Sequence, residues 1–142
     1  LLGIEYGGSL DPACRFAGAR YSIPSDTLSA GQAAELGIHT TDDFLGGVVP
    51  HSFVATKTIT HPLIDRAAAA PPGWSPCFAD DVLAIVLPGY SAFNAIDARR
   101  AGLALLAAGP VRVKPAHGIG GRGQTVVGAP GELEAAITAP KA

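Results

Sequence analysis

Apolar residues along this chain come in short bursts between glycine- and proline-rich breaks, and each burst is no longer than a strand or a short helix. Residues 1–28 read as loop with one short strand over 19–23, stopped by Pro24. A helix is expected next: Ser29 stands as N-cap, Gln32 follows three residues later in the S-x-x-Q arrangement, and Gly37 ends it. Between 38 and 50 a polar TTDD turn and two glycines lead into Val48-Val49, a second strand or its approach. Residues 54–66 predict a short helix restricted by Pro62, and 67-AAAAPPGWSPCF-78 reads as a hinge or linker in which Trp74 anchors the packing. The β-branched run 82-VLAIVLP-88 predicts a buried strand.

Further along, Asn94 and Asp97 cap a helix expected to run to Ala108, with Ile96, Leu103 and Leu106 on its apolar face and Gly109-Pro110 as its stop. A strand over 111–114, a loop with four glycines in six residues, and a strand over 125–127 follow. The turn 128-GAPG-131 then precedes a helix over 132–139. The expected organisation is an α/β segment over 1–66, a linker over 67–81, and a second α/β segment over 82–142.

Composition narrows the class of function. The chain has 142 residues, 48% hydrophobic and 15% charged, with a net charge of −2. It is therefore neither a disordered polyelectrolyte nor a basic protein built for nucleic acid. Its longest apolar run is strand-sized, so no membrane span is expected. Two cysteines make no disulfide framework, which predicts a reduced, cytoplasmic protein. A chain that starts with leucine and contains no methionine reads as a fragment of a longer one.

The glycine loop carries the candidate chemistry. Gly118-Ile-Gly120-Gly-Arg-Gly123 satisfies G-x-G-x-x-G, but the dinucleotide fingerprint needs a helix opening at the third glycine, and QTVV is strand-like. A phosphate loop fails as well, because Gln124 stands where its lysine belongs. What remains is a β-hairpin whose glycines let backbone N–H groups approach a phosphate, with Lys114 on the incoming strand. A glycine-rich hairpin with no ligand is the alternative. His51, His61, His117 and Cys77 match no metal spacing. Asp42-Asp43 and Asp80-Asp81 read as solvated turn charges, and no activated nucleophile is evident.

Lysine-proline on a strand, a glycine-rich flap containing G-R-G, a β-branched strand and a short helix together resemble the ATP-grasp superfamily, over about 27 residues, VRVKPAHGIGGRGQTVVGAPGELEAAI. The combination with FVATKTITHPLID also looks like an uncharacterised bacterial family placed near ATP-grasp. The resemblance implies a pre-ATP-grasp-like α/β domain followed by the first half of a nucleotide-binding subdomain, an incomplete fold. It implies ATP as cofactor, with Lys114 on the α-phosphate or adenine edge and Gly118, Gly120, Gly121, Arg122 and Gly123 over the β- and γ-phosphates. His117 would reach a phosphate from inside the flap, and Lys57 stands where the family has a further phosphate-contacting lysine. The Mg ligands of the family lie on later strands, beyond this chain, so the fragment alone is expected to be inactive. The whole protein is expected to join an unknown carboxylate to an amine or thiol through an acyl-phosphate. The alternative is a non-catalytic nucleotide-sensing or protein-interaction module.

Overall fold

A computed structural model describes residues 5–11, 18–118 and 120–139. The chain is mixed α/β, with short helices and two small sheets, and it forms two compact units, Leu1–Val48 and Val49–Ala142.

In the first unit, β1 (Leu28–Ser29) runs directly into α1 (Ala30–Glu35). The expected capping box is present: Ser29 Oγ accepts from Gln32 N–H (3.3 Å) and Gln32 Oε1 accepts from Ser29 N–H (2.9 Å). Gly37 turns out of the helix at φ +68°, a conformation that glycine adopts without Cβ strain. Leu28, Ala33, Ile38 and Phe44 form the buried core, with Leu36 packed against it. Leu28 N–H donates to Gly47 C=O (3.0 Å), and β1 pairs with β2 (Val48–Val49). The strand expected over 19–23 reduces to a single parallel bridge, Ser22 to Phe44. Asp43 is no idle turn charge, since its Oδ2 accepts from the N–H groups of His39 (2.8 Å) and Thr40 (2.7 Å). These backbone donors, His39 first, hold its carboxyl below the ordinary value of 3.8.

The second unit opens differently from expectation. Residues 54–66 form no α-helix; two 3-10 turns, Ser52–Ala55 and Lys57–Thr60, take that place. Threonine is the reason. Buried Thr56 donates from Oγ1 to Phe53 C=O (2.7 Å) and accepts from Thr58 N–H (3.2 Å), so its side chain replaces helical backbone bonds. Trp74 packs on Phe93 (5.2 Å between ring centroids) and Phe53 (5.5 Å), and His51 stacks on Phe53.

The buried strand expected over 82–88 is also absent. Helix α2 (Cys77–Val82) reaches into it, Ile85 N–H donates to Val82 C=O (2.9 Å), and Ile85 and Leu87 are 84% and 83% exposed. Strand preference is a preference for a packed, hydrogen-bonded neighbour. Among the described residues no strand pairs with this segment, so its backbone closes turns instead.

Helix α3 (Ala95–Leu106) begins as expected at Asn94, whose Oδ1 accepts from Asp97 N–H (2.7 Å). Its buried face is a different one. Ile96 and Leu103 are exposed, while Asp97, Ala101 and Gly102 are buried. The neighbouring helix α4 (Pro130–Thr138) presses Leu133, 2% exposed, onto Gly102, and so close an approach selects small residues on α3. Strands β3 (Val111–Val113) and β4 (Thr125–Val127) pair antiparallel in the register Val111–Val127, Arg112–Val126 and Val113–Thr125. Both helices pack against this hairpin. The hairpin that carries the glycine loop is thus buttressed by α3 and α4.

Candidate functional site

The expected order of strand, glycine loop and strand is what the chain forms. β4 begins at Thr125, so no helix opens at Gly123, and the dinucleotide geometry is excluded on structural grounds as well.

Three glycines adopt left-handed backbone conformations here: Gly120 at φ +61°, Gly121 at +84° and Gly123 at +69°. Gly118 is required for a different reason. A Cβ there would lie 2.9 Å from Arg122 O and 3.0 Å from Pro115 Cγ, so the two sides of the loop touch through backbone. Gly118 N–H donates to Pro115 C=O (3.2 Å) and Gln124 N–H to Gly121 C=O (3.4 Å). At the hairpin base, Arg112 Nη1 donates to Gln124 Oε1 (3.3 Å). Gln124, conspicuous in the sequence only as a missing lysine, therefore ties the outgoing strand to the incoming one.

Lys57 reaches this loop from 61 residues away, its Nζ donating to Gly118 C=O. Its backbone is fixed from several sides: Thr56 caps its 3-10 turn, Thr60 Oγ1 donates to Lys57 C=O (2.8 Å), and Ser91 Oγ donates to Thr58 C=O (2.6 Å). Of the eight residues expected at a phosphate site, Lys57 and Gly118 are joined directly. Gly120, Gly121, Arg122 and Gly123 complete the same loop. Lys114, directly after β3, and His117 and Arg122 are exposed, and their side chains make no hydrogen bond or ion pair among the described residues. The loop thus carries unpaired cationic side chains beside the exposed backbone of Gly120, Gly121 and Gly123, an arrangement suited to a polyanion.

Other charged groups are engaged structurally. Asp97 Oδ2 accepts from Ala69 N–H (2.9 Å) and Asn94 Nδ2 (2.8 Å), and its Oδ1 accepts from Arg100 Nη1 (3.1 Å). The Ala69 N–H is the main cause that holds the Asp97 carboxyl below its ordinary value, with Asn94 and Arg100 adding to it against the effect of burial. Arg100 also pairs with Asp65, and Arg99 with Glu134 across α3 and α4. Glu132 Oε2 accepts from Gly128 N–H (2.7 Å) at the start of α4. Sequence reasoning missed this network, because its ties to Asp65 and Ala69 are distant in sequence, although the Asp97–Arg100 pair has the i,i+3 spacing of neighbours on a helix face. Of the network, only the Asn94-Asp97 cap was read from the sequence.

A shallow open cleft of about 420 Å³ lies between β4 and α4, lined by Val126, Ala135, Ala136 and Ala139 among others. Its single charged lining residue is Glu132, and none of the eight expected residues borders it, so the cleft is no anion site. Among the described residues no cluster of His, Cys, Asp and Glu could hold a metal ion, and no helix is long and apolar enough to cross a membrane.

No curated protein and no solved structure matches the chain. A family does: the one described as Protein of unknown function (DUF3182) matches residues 1–142, and the chain belongs to it.

Proposed function

We propose that this chain supplies the phosphate-binding half of an ATP site, with the glycine loop between β3 and β4 as the flap over the triphosphate. The observation that carries the reading is the meeting of Lys57 with Gly118. Lys57 and the glycine loop, 61 residues apart and both expected at phosphate from the ATP-grasp resemblance, meet at Gly118. In this reading Lys57, Lys114 and Arg122 neutralise the triphosphate, and the N–H groups of Gly120, Gly121 and Gly123 approach it where no Cβ intervenes. His117 adds a donor from inside the loop. Catalysis at such a site is positioning and charge stabilisation.

The resemblance to ATP-grasp extends the proposal to the full-length protein. There Mg-ATP would phosphorylate a carboxylate, and the acyl-phosphate would pass to an amine or thiol, with the Mg ligands lying outside this chain. A ligand that binds only the folded state raises the unfolding temperature by mass action. Mg-ATP is therefore expected to raise the melting temperature of the full-length protein, with a smaller rise in Lys114→Ala. Equal shifts in both proteins, or none in the wild type, would refute the assignment.

A further inference from the structure

We propose that Lys57 is a latch on the glycine loop: its ammonium holds the Gly118 carbonyl in the free protein, and an incoming polyphosphate takes the ammonium away. The first half stands on the structure, and the second rests on the nucleotide reading above.

Both ends of the latch are built to stay in place. On one side, the Thr56 cap and the Thr60 and Ser91 hydroxyls fix the backbone from which Lys57 projects. On the other, the Gly118 N–H is committed to Pro115 C=O, and the close Arg122 carbonyl leaves no room for a side chain at 118. The carbonyl oxygen of Gly118 is left facing the lysine. An ammonium has three donors, and a single neutral carbonyl takes one of them. A phosphate oxygen is the stronger acceptor, because its negative charge adds a coulombic attraction to the ammonium that a neutral carbonyl lacks. The same lysine would thus hold the loop in one arrangement without ligand and release Gly118 when an anion arrives. Lys57 is a positioning residue in the first state and a ligand contact in the second.

Gly118 can be observed singly. The chain has three Gly-Ile pairs, 3–4, 37–38 and 118–119. Full-length protein labelled with carbonyl-13C glycine and 15N isoleucine gives one carbonyl correlation for each, and Ile119→Val removes the third and so assigns it. Lys57→Met is expected to move the Gly118 carbonyl upfield while keeping a cooperative urea transition near that of wild type by Trp74 fluorescence, which reports that the second unit is folded. An unmoved Gly118 carbonyl in Lys57→Met overturns the latch. Adding magnesium tripolyphosphate to wild type is expected to move the same resonance in the same direction, and to leave it unmoved in Lys57→Met. Tripolyphosphate that binds by calorimetry without moving it overturns the exchange of partners. Absence of binding refutes the nucleotide reading and the exchange together, while the Lys57→Met result still decides the latch.

Discussion

Gly102→Ala sets two effects of opposite sign against each other in the helix pair that supports the hairpin. In an unobstructed helix interior, alanine is favoured over glycine by about 1 kcal/mol. Here the added Cβ would sit 2.6 Å from both δ-methyls of Leu133 and 3.2 Å from its Cγ. Optimal carbon separations are about 3.5–4.0 Å, so the new methyl is driven between two atoms that must both move. Leu133 is 2% exposed and has little space to move into. Overpacking of this kind costs about 1–3 kcal/mol, which exceeds the helix gain and leaves a net loss of about 1 kcal/mol. Leu133→Ala alone should cost about 2–5 kcal/mol through lost contacts and a cavity. In that background the obstruction is gone, and Gly102→Ala should turn stabilising by about 1 kcal/mol. Urea unfolding of the four proteins in this cycle measures the reversal as a coupling of about 2 kcal/mol. Gly102→Ala that stabilises the wild type, or has the same effect in both backgrounds, would refute the packing described.

Further predictions are more local. Ser29→Ala should lower the stability of the first unit by about 1 kcal/mol, read by chemical denaturation, because the Gln32 N–H loses the hydroxyl that accepts its hydrogen bond while the reciprocal bond from the Ser29 backbone N–H remains. Gly123→Ala should destabilise the loop by about 1–2 kcal/mol, since φ +69° is left-handed and Pro115 Cγ stands 3.0 Å from the new Cβ. Asp97, Asp65 and Glu134 all have carboxyls held below their ordinary values, Asp97 chiefly by Ala69 N–H and the other two by their arginine partners. The stability they contribute is therefore present above about pH 4 and lost as pH falls through the lowered folded values. Melting temperatures from pH 7 to pH 2 should show Asp97→Asn less stable than wild type at pH 7, with the gap closing in acid; a constant gap would contradict this.

Legibility in the sequence followed whether a signal was local. Ser29, Gln32 and Gly37, or Asn94 and Asp97, form a helix end from residues within one or two turns, and the chain folds there as those residues dictate. The β3–β4 hairpin was equally legible, since β-branched runs flank a loop only glycine can make. Segment 82–88 misled because β-branched composition says nothing about whether a partner strand is present. The face buried by α3 was not legible either. Ile96 and Leu103 are the larger apolar residues, yet Leu133, 31 residues further along the chain, makes Gly102 the contact. The candidate site divides in the same way: its glycines could be chosen from spacing, whereas the tie from Lys57 to Gly118 and the clamp from Arg112 to Gln124 exist only in the folded chain.

The central claim is that the loop and its lysines bind the triphosphate of a nucleotide. Calorimetric titration of Mg-ATP into the full-length protein, wild type against Lys57→Met and Lys114→Ala, tests it most directly. A charge-assisted hydrogen bond to phosphate corresponds to about tenfold or more in affinity. Saturable binding in wild type, weakened at least about tenfold in each variant, is the predicted result. Wild-type protein that takes up no Mg-ATP, or variants that bind it equally well, would contradict the claim.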